Sequence, residues 1–214
     1  MCASYGLDPR FSGYEALAEA DQELVAELRE WARQNASETI RPTGKNLRNL
    51  NALIRGSEEG PHLERAWWGY LVGGEPAKFP SINTRSERLQ ERPGGLAGRA
   101  IVPATNWLEM QKPSRDWYSF GLGEHGEHEL FGMAAVTQQG RPTGGDPVTC
   151  YSIVMQPAAE ALTDFHDRMP LLIPADFAEV WLDPAQDPTR ELIDAALDAS
   201  RAVSERVGAT RLEK

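Results

Sequence analysis

The residue with the clearest capacity for covalent chemistry is the cysteine that follows the initiating methionine. Removal of Met1, which a small second residue favours, would leave Cys2 with an α-amine and a thiol on neighbouring carbons. Reference pKa values of about 7.7–8.0 and about 8.5 leave usable nucleophilic fractions of both groups near neutral pH. The amine condenses with an aldehyde, and the thiol then closes a five-membered thiazolidine ring with favourable intramolecular entropy. Cys2 therefore indicates an aldehyde-directed site, the alternative being an incidental second residue.

The remaining cysteine and the histidines do not indicate a metal site. Cys150 lies in the apolar run 148–155 and is expected to be a small buried core residue, and neither a disulfide nor a Cys/His zinc spacing is predicted. His125 and His128 lie close to three glutamates, but a glycine interrupts the string and a third ligand at a recognised offset is missing. We predict a polar hairpin turn there. The sequence also lacks a Gly-rich phosphate loop, so neither a metal nor a cofactor is expected.

Charge is distributed unevenly along a chain of ordinary globular composition. The 214 residues are 41% hydrophobic and 25% charged, which predicts one domain with a single core. The net charge is −10, yet residues 41–115 hold 12 Lys and Arg against 7 Asp and Glu, a net of +5, and the rest carries −15. Cations supply most of the affinity for phosphate, so the middle segment is the candidate surface for a nucleic acid. Without a bilayer-length apolar run or a signal-peptide pattern, a cytoplasmic protein without membrane contact is expected.

The apolar pattern predicts an α+β fold. One amphipathic helix is predicted from about residue 14 to 34, and a second over about 187–207, with Asp187 as N-cap and Pro188 at the first helical position. Short apolar runs between them, broken by Gly and Pro, predict strands. These runs are residues 66–72, 99–104, 117–122, 130–136, 148–155 and 171–173. We expect a curved mixed sheet or partly closed barrel flanked by helices.

Several polar strings at the edges of these runs carry a family resemblance. They are Ile82-Asn83-Thr84-Arg85-Ser86-Glu87, Arg99 to Glu109, Phe165-His166-Asp167-Arg168-Met169-Pro170, Arg41-Pro42-Thr43 and Trp67-Trp68-Gly69-Tyr70. In this order after an initial Met-Cys, they resemble the SRAP family, the SOS-response-associated peptidase domain of abasic-site processing proteins. The resemblance covers about residues 1–183, and it implies a single SRAP-like domain over residues 1–214 with residues 187–207 as its C-terminal helix.

The resemblance implies a function on damaged DNA. It predicts a monomer that senses abasic sites in single-stranded DNA, associates with the nucleoid when bound, and forms a covalent thiazolidine crosslink through Cys2. It further implies a thiol autopeptidase activity that removes Met1 and an abasic-site lyase activity. Because an abasic position has no base to recognise, shape rather than base identity should govern binding.

The resemblance also assigns roles to three polar residues beside Cys2. Glu109 would be the general acid/base of ring opening and dehydration, His166 would hold the opened sugar oxygen, and Asn83 would orient the α-amine or the sugar. From the residues alone, a surface salt-bridge partner, a helix-terminal histidine and a turn residue are the respective alternatives.

Four further residues are predicted to contact the DNA. Arg85 and Arg168 would bind flanking phosphates, with ordinary surface ion pairs as the alternative. Trp67 or Trp68 would stack on a base, and a tryptophan buried in the core is an equal alternative for each.

Three other functions remain open at the level of sequence. An N-terminal cysteine also serves glutamine amidotransferases, although the arginine and Asn-Gly segments that bind glutamine there are not found. A thiol peptidase that uses Cys2 and His166 is the second alternative. A module that binds single-stranded DNA without a covalent step is the third.

Overall fold

The structure is a computed structural model that describes residues 2, 4–12, 22–35, 50–77, 81–112, 114–123 and 128–212. The predictions for Arg41-Pro42-Thr43, for His125 and for residues 14–21 of the first helix lie outside these ranges. The strands are β1 (Tyr5–Gly6), β2 (Leu50–Ser57), β3 (Gly60–Trp68), β4 (Leu71–Val72), β5 (Glu75–Pro76), β6 (Asn83–Arg85), β7 (Arg99–Ala104), β8 (Asn106–Met110), β9 (Trp117–Gly121), β10 (Phe131–Gly140), β11 (Val148–Pro157), β12 (Arg168–Pro170), β13 (Leu172–Ile173) and β14 (Gly208–Arg211). The helices are α1 (Gln22–Asn35), α2 (Ser86–Glu91), α3 (Ala175–Leu182) and α4 (Arg190–Glu205), with 3₁₀ turns at Pro93–Ala97 and Glu160–Leu162.

Five strands close into a mixed barrel. Their order is β11-β3-β2-β7-β10, and β10 pairs back onto β11. All of these pairings are antiparallel except that of β11 with β3. Strands β6 and β12 extend the sheet on β11 and β13 extends it on β10, while β1, β8, β9 and β14 form a separate four-stranded sheet. The predicted α+β fold with a curved mixed sheet is confirmed.

Side chains alternate between two core clusters along the barrel strands. In β7, for example, Ile101 belongs to the cluster packed against the helices, while Ala100 and Val102 belong to the cluster that includes Cys2. Both faces of these strands are therefore buried, which explains why they appear in the sequence as continuous apolar runs. Cys150 is fully buried in β11, as predicted.

The helices confirm the amphipathic patterns and correct one boundary. Helix α1 buries Leu24 and Leu28, as predicted. Helix α4 begins later than expected, because the Thr189 hydroxyl rather than Asp187 accepts the hydrogen bond from the Leu192 N–H. Helices α2 and α3 were not predicted, since 6 and 8 residues are too few to show a helical period. None of the described helices is long and apolar enough to cross a bilayer.

One predicted strand and one predicted hairpin are wrong for structural reasons. The run 66–72 divides between β3 and β4 because Gly69 adopts a φ of +95°, which turns the chain out of the barrel. The segments 117–122 and 130–136 do not form one hairpin, since β9 and β10 belong to different sheets. A single antiparallel bridge between Leu122 and Glu129 joins them instead.

A buried arginine fixes helix α3 to the barrel. The Arg99 guanidinium donates to the carbonyl oxygens of Trp181 at 2.9 Å, Leu96 at 2.6 Å, Asp183 at 2.7 Å and Gln186 at 2.9 Å. Two of these carbonyls, those of Trp181 and Asp183, lie at the C-terminal end of α3, where main-chain acceptors have no helical donor. Arg99 therefore replaces the hydrogen bonds that this helix end lacks.

Replacing Arg99 with methionine should lower the free energy of unfolding by about 3 kcal/mol, because buried carbonyl groups would lose their donors. The measurement is urea unfolding followed by circular dichroism. Arg65→Met, at an exposed position of β3, is the matched control and should change stability little. Equal effects of the two substitutions would contradict a structural role for Arg99.

Candidate active site

Cys2 lies fully buried where the four-stranded sheet meets the barrel. Its Sγ donates to the Ser4 carbonyl oxygen at 3.7 Å, and its own carbonyl oxygen accepts from Nδ2 of Asn83 at 2.7 Å. The Ser4 carbonyl also accepts from the Leu108 N–H at 2.9 Å, just before β1 begins to pair with β8. The main chain at Cys2 is thus held by the barrel through Asn83 and by the small sheet through Ser4.

Asn83 reaches Cys2 because β6 is fixed along β11. Asn83 stands opposite Ile153 in the parallel pairing, and the preceding Ile82 carbonyl accepts from both the Ile153 N–H and the Trp68 indole N–H at 2.9 Å. The Asn83 Oδ1 atom is buried and has no hydrogen-bond partner among the described residues. This oxygen can therefore accept a hydrogen bond, and a free α-amine on Cys2 would be a donor for it.

The charge of Glu109 acts on the Cys2 thiol. Burial, followed by the negative charge of Glu109, raises the pKa of Cys2 to about 12, although the hydrogen bond to Ser4 acts in the opposite direction. Glu109 follows Trp107 by two positions in β8, so both side chains project from the same face of the small sheet. That face carries Trp107 into the cluster that contains Cys2. The structure therefore brings Cys2, Asn83 and Glu109 together, with the thiol in its neutral form.

Tyr118 is a site residue that the sequence analysis missed. It stands opposite Glu109 in the β8–β9 pairing, so the two side chains share one face of the sheet. The ring of Phe165 packs edge-on against Tyr118 at 4.7 Å and against Phe120 at 5.4 Å. The predicted strand 117–122 contained Tyr118, but the register that places it beside Glu109 follows from tertiary pairing.

His166 is positioned by contacts on both sides of its loop. Phe165 packs on the small sheet, and the Gln111 side chain donates to the Asp164 carbonyl at 3.1 Å. The His166 Nδ1 atom accepts from the Arg168 N–H at 3.0 Å and also lies 2.8 Å from the Asp167 carboxylate, which would require a proton on Nδ1. The fold enforces the first contact, since the Arg168 N–H belongs to β12 whereas the Asp167 side chain is 84% exposed. With Nδ1 as acceptor, the neutral ring carries its proton on Nε2.

The two predicted phosphate-binding arginines have different surroundings. Arg168 is largely buried and donates from Nη1 to Oε1 of Glu87 at 2.6 Å, whereas Arg85 is exposed. Partial burial by itself would raise the pKa of Glu87, but its own backbone N–H, the Arg168 ion pair and the charge of Arg85 together lower it. Arg85 therefore offers a whole guanidinium to solvent, while Arg168 is oriented by Glu87.

The tryptophan pair divides between surface and core. Trp68 is 1% exposed, stacks parallel to Tyr151 at 6.2 Å and meets Tyr5 edge-on at 5.0 Å. It has no free face for a base, so the stacking role predicted for Trp68 is corrected to packing beneath the site. Trp67 is half-buried and remains the candidate of the pair for stacking. The Tyr5 and Tyr151 hydroxyls share a buried hydrogen bond of 2.7 Å in the same cluster as Cys2.

His128 takes part in an ion-pair cluster on the surface. Its Nε2 atom lies 2.9 Å from an Arg10 nitrogen and 3.4 Å from the Asp8 carboxylate, which itself pairs with Arg10 at 2.8 Å. Across the described ranges, the structure contains no group of three or more His, Cys, Asp or Glu side chains arranged to hold a metal. The cluster instead ties the chain after β1 to the segment that precedes β10.

The fold and the site define a protein with a closed mixed barrel and a buried cysteine, Cys2, held beside Asn83 and Glu109. The sequence profile described as SOS response associated peptidase (SRAP) matches residues 1–210. The chain belongs to the SRAP family.

Named relatives and a solved structure agree with this assignment. The Escherichia coli abasic site processing protein YedK is 31% identical over 134 residues, which cover 61% of this chain and 59% of that protein. The Gallus gallus abasic site processing protein HMCES is 37% identical over 208 residues, which cover 88% of this chain and 56% of that protein. The chain thus spans less than two thirds of the length of these relatives. A crystal structure of a Bordetella bronchiseptica protein shares the fold, with a TM-score of 0.67, 17% identity and 100% coverage of both chains.

Replacing Glu109 with glutamine should lower the pKa of the Cys2 thiol, because a negative charge near the thiolate disappears. Alkylation of Cys2 by iodoacetamide should then accelerate at a lower pH, as followed by mass spectrometry of the N-terminal peptide. Glu58→Gln, in the exposed turn between β2 and β3, should leave the pH profile unchanged. A profile displaced to higher pH by Glu109→Gln would rule out this effect of Glu109 on the thiol.

Proposed function

We propose that this protein acts on abasic sites in single-stranded DNA, and that Cys2, made N-terminal by removal of Met1, bonds covalently to the opened deoxyribose. The observation that carries the proposal is the contact of Asn83 with the Cys2 carbonyl beside a thiol that experiences the charge of Glu109. Membership of the SRAP family and two relatives named abasic site processing proteins support the choice of substrate.

The proposed reaction joins one amine, one thiol and one aldehyde with loss of a single water. The α-amine of Cys2 adds to the C1 aldehyde of the ring-opened sugar and forms a carbinolamine, whose hydroxyl departs as water to leave an imine. Because dehydration leaves this imine protonated on nitrogen, the Cys2 sulfur bonds to its carbon and the thiol proton passes to the base that had protonated the departing hydroxyl, which closes a neutral thiazolidine. Holding the amine and the thiol on one residue makes ring closure intramolecular, which favours it strongly.

Glu109 is proposed to carry the protons in these steps. Its carboxyl group would protonate the departing hydroxyl, and the resulting carboxylate would take the thiol proton as sulfur attacks. The thiol is neutral before reaction, since burial and Glu109 raise its pKa. A protonated imine next to the sulfur would favour the thiolate by its positive charge, so the nucleophile would form after the aldehyde is bound.

The remaining site residues are proposed to bind and orient the sugar and its flanking phosphates. The buried Asn83 Oδ1 would accept from the α-amine, and His166 would donate from Nε2 to the opened sugar oxygen. Arg85 would bind a phosphate directly, and Arg168 would do so with the guanidinium nitrogens that Glu87 leaves free. Trp67 would stack on a neighbouring base.

The covalent step depends on a free Cys2 amine, so an uncleavable tag before Met1 should abolish the heat-stable adduct. The same tag after Lys214 should preserve it. The assay is denaturing electrophoresis with mass spectrometry after incubation with a single-stranded abasic oligonucleotide. Cys2→Ser and Cys2→Ala retain the amine and should give adducts that persist only after borohydride trapping.

Each competing function predicts another outcome of these experiments. A thiol peptidase would lose activity in Cys2→Ala without gaining mass from abasic DNA, and an amidotransferase would release ammonia from glutamine. Lyase activity would appear as cleavage of the oligonucleotide strand. A heat-stable adduct from the N-terminally blocked protein, or its absence from the unblocked wild type, would refute the proposal.

Glu109→Gln should slow adduct formation by about 10²-fold, the usual contribution of a general acid/base, while its fold is retained. Single-turnover rates with the same oligonucleotide measure the effect, and circular dichroism checks folding. Glu58→Gln again serves as the control. A normal rate in a folded Glu109→Gln variant would move the proton-transfer role to another residue, with His166 the next to test.

A further inference from the structure

Three arginines project from the segment that leaves the Cys2 site. Arg85 ends β6, Arg88 lies in α2 and Arg92 follows its last residue, and all three are exposed. Arg85 and Arg92 cap the two ends of the helix and Arg88 lies within it, so the three follow one another along α2 at spacings of three and four residues, while Ser86 and Leu89 form its buried side. We call Arg85, Arg88 and Arg92 the α2 arginine row.

The α2 arginine row has no carboxylate partner within the described part of the chain. Most other described arginines are neutralised: Arg168 pairs with Glu87, Arg206 with Glu129 and Arg211 with Asp116, to name three. In an acidic protein, unpaired guanidinium groups concentrated on one short element produce a local positive potential despite the net charge of −10.

The surroundings of the row do not cancel its charge. The carboxylate of Glu87 pairs with Arg168, although the charge of Arg85 also acts on it, and Gln90 turns to the opposite side of α2, where it donates to Asp194 of α4 at 2.6 Å. Glu91 is exposed and forms no ion pair with Arg88 in the described structure. The 3₁₀ turn at Pro93–Ala97 that follows carries no charged residue. Beyond Glu91, the row thus leads from the site onto a turn that carries no carboxylate.

The row is continuous with the site through β6. Asn83, which donates to the Cys2 carbonyl at 2.7 Å, precedes Arg85 by two residues on the same strand. Arg88 lies close enough to Tyr70 for its charge to act on that hydroxyl, and Arg92 stands about 6 Å further along the helix axis, one turn away. A chain of phosphates bound at Arg85 would therefore meet two more cations in succession.

We propose that the α2 arginine row is the exit track for the DNA strand on one side of the abasic nucleotide, with Arg88 and Arg92 each binding a phosphate beyond the one at Arg85. The proposal rests on the proposed function for its choice of ligand and extends it by assigning two residues and a direction. Guanidinium groups suit this task because they bind phosphate oxygens in pairs and independently of sequence.

Salt dependence of binding tests the row separately from covalent chemistry. The probe is a labelled single-stranded oligonucleotide with a tetrahydrofuran abasic analogue, which has no aldehyde and cannot react with Cys2. For single strands, each phosphate contact contributes about 0.7 to the slope of log affinity against log salt, so Arg88→Ala/Arg92→Ala should reduce that slope by about 1.4. Arg141→Ala/Arg201→Ala, which removes one exposed arginine from the β10–β11 turn and one from α4, should leave the slope unchanged.

Strand direction provides a second measurement. One set of oligonucleotides is lengthened on the 5′ side of the analogue and a second set on the 3′ side. The wild type should gain affinity with only one of the two sets, and the double variant should lose that gain. An unchanged slope, an equal slope loss in the control, or a one-sided gain that persists in a folded Arg88→Ala/Arg92→Ala variant would overturn the exit track. If the double variant does not fold, Arg88→Gln and Arg92→Gln should each reduce the slope by about 0.7.

Parallel incubation with a reactive abasic oligonucleotide separates the two proposals. An adduct together with an unchanged salt slope would refute the exit track and leave the proposed function standing. A reduced slope without any adduct would support the row as a phosphate track and refute the covalent function.

Discussion

Strand β11 changes neighbours along its length, and the site depends on that change. Its first half completes the barrel between β10 and β3, while its second half pairs with β6 and β12. The first half of β11 closes the barrel, and its second half pairs with the strands that carry Asn83 and Arg168. Segments that are 85 residues apart in the chain are thereby fixed on one strand of ten residues.

The site also depends on the meeting of two separate sheets at Cys2. The barrel contributes Asn83, and the four-stranded sheet contributes Glu109 with Tyr118 opposite it. Because Cys2 precedes β1, which pairs with β8, the start of the chain is drawn into the junction and buried there. Burial raises the pKa of the thiol and keeps it neutral, so in the proposed reaction an amine-first order fits this environment better than direct attack by a preformed thiolate.

Buried polar groups elsewhere maintain the framework around this junction. Arg99 satisfies carbonyls at the end of α3, and the Gln156 amide donates to Ser200 and Ser204 of α4 at 2.9 and 3.0 Å. These contacts fix two helices against the barrel by hydrogen bonds as well as by apolar packing. Charged groups that the framework does not use, such as the α2 arginine row, remain available to a ligand.

Local pattern was sufficient for much of the fold. Strand β7 was predicted with its observed bounds, and the amphipathic stripes of α1 and α4 were found because burial of one helix face leaves a 3.6-residue period. Cys2 could be singled out because its chemistry belongs to one residue and its position. The polar strings that contain Asn83, Glu109 and His166 identified the family, which the profile match confirmed.

Tertiary structure decided what depends on register and on contacts distant in sequence. Only strand pairing places Tyr118 beside Glu109, and only closure of the barrel buries Trp68 while leaving Trp67 half-exposed. Helix α2 is too short to show a helical period in the sequence. The α2 arginine row could therefore be recognised only after the structure had shown which side of this helix is buried. The sequence by itself determines the identity of each side chain and the local hydrophobic period. The partner of each side chain depends on which distant strands pair, and strand pairing depends on the packing of the whole core.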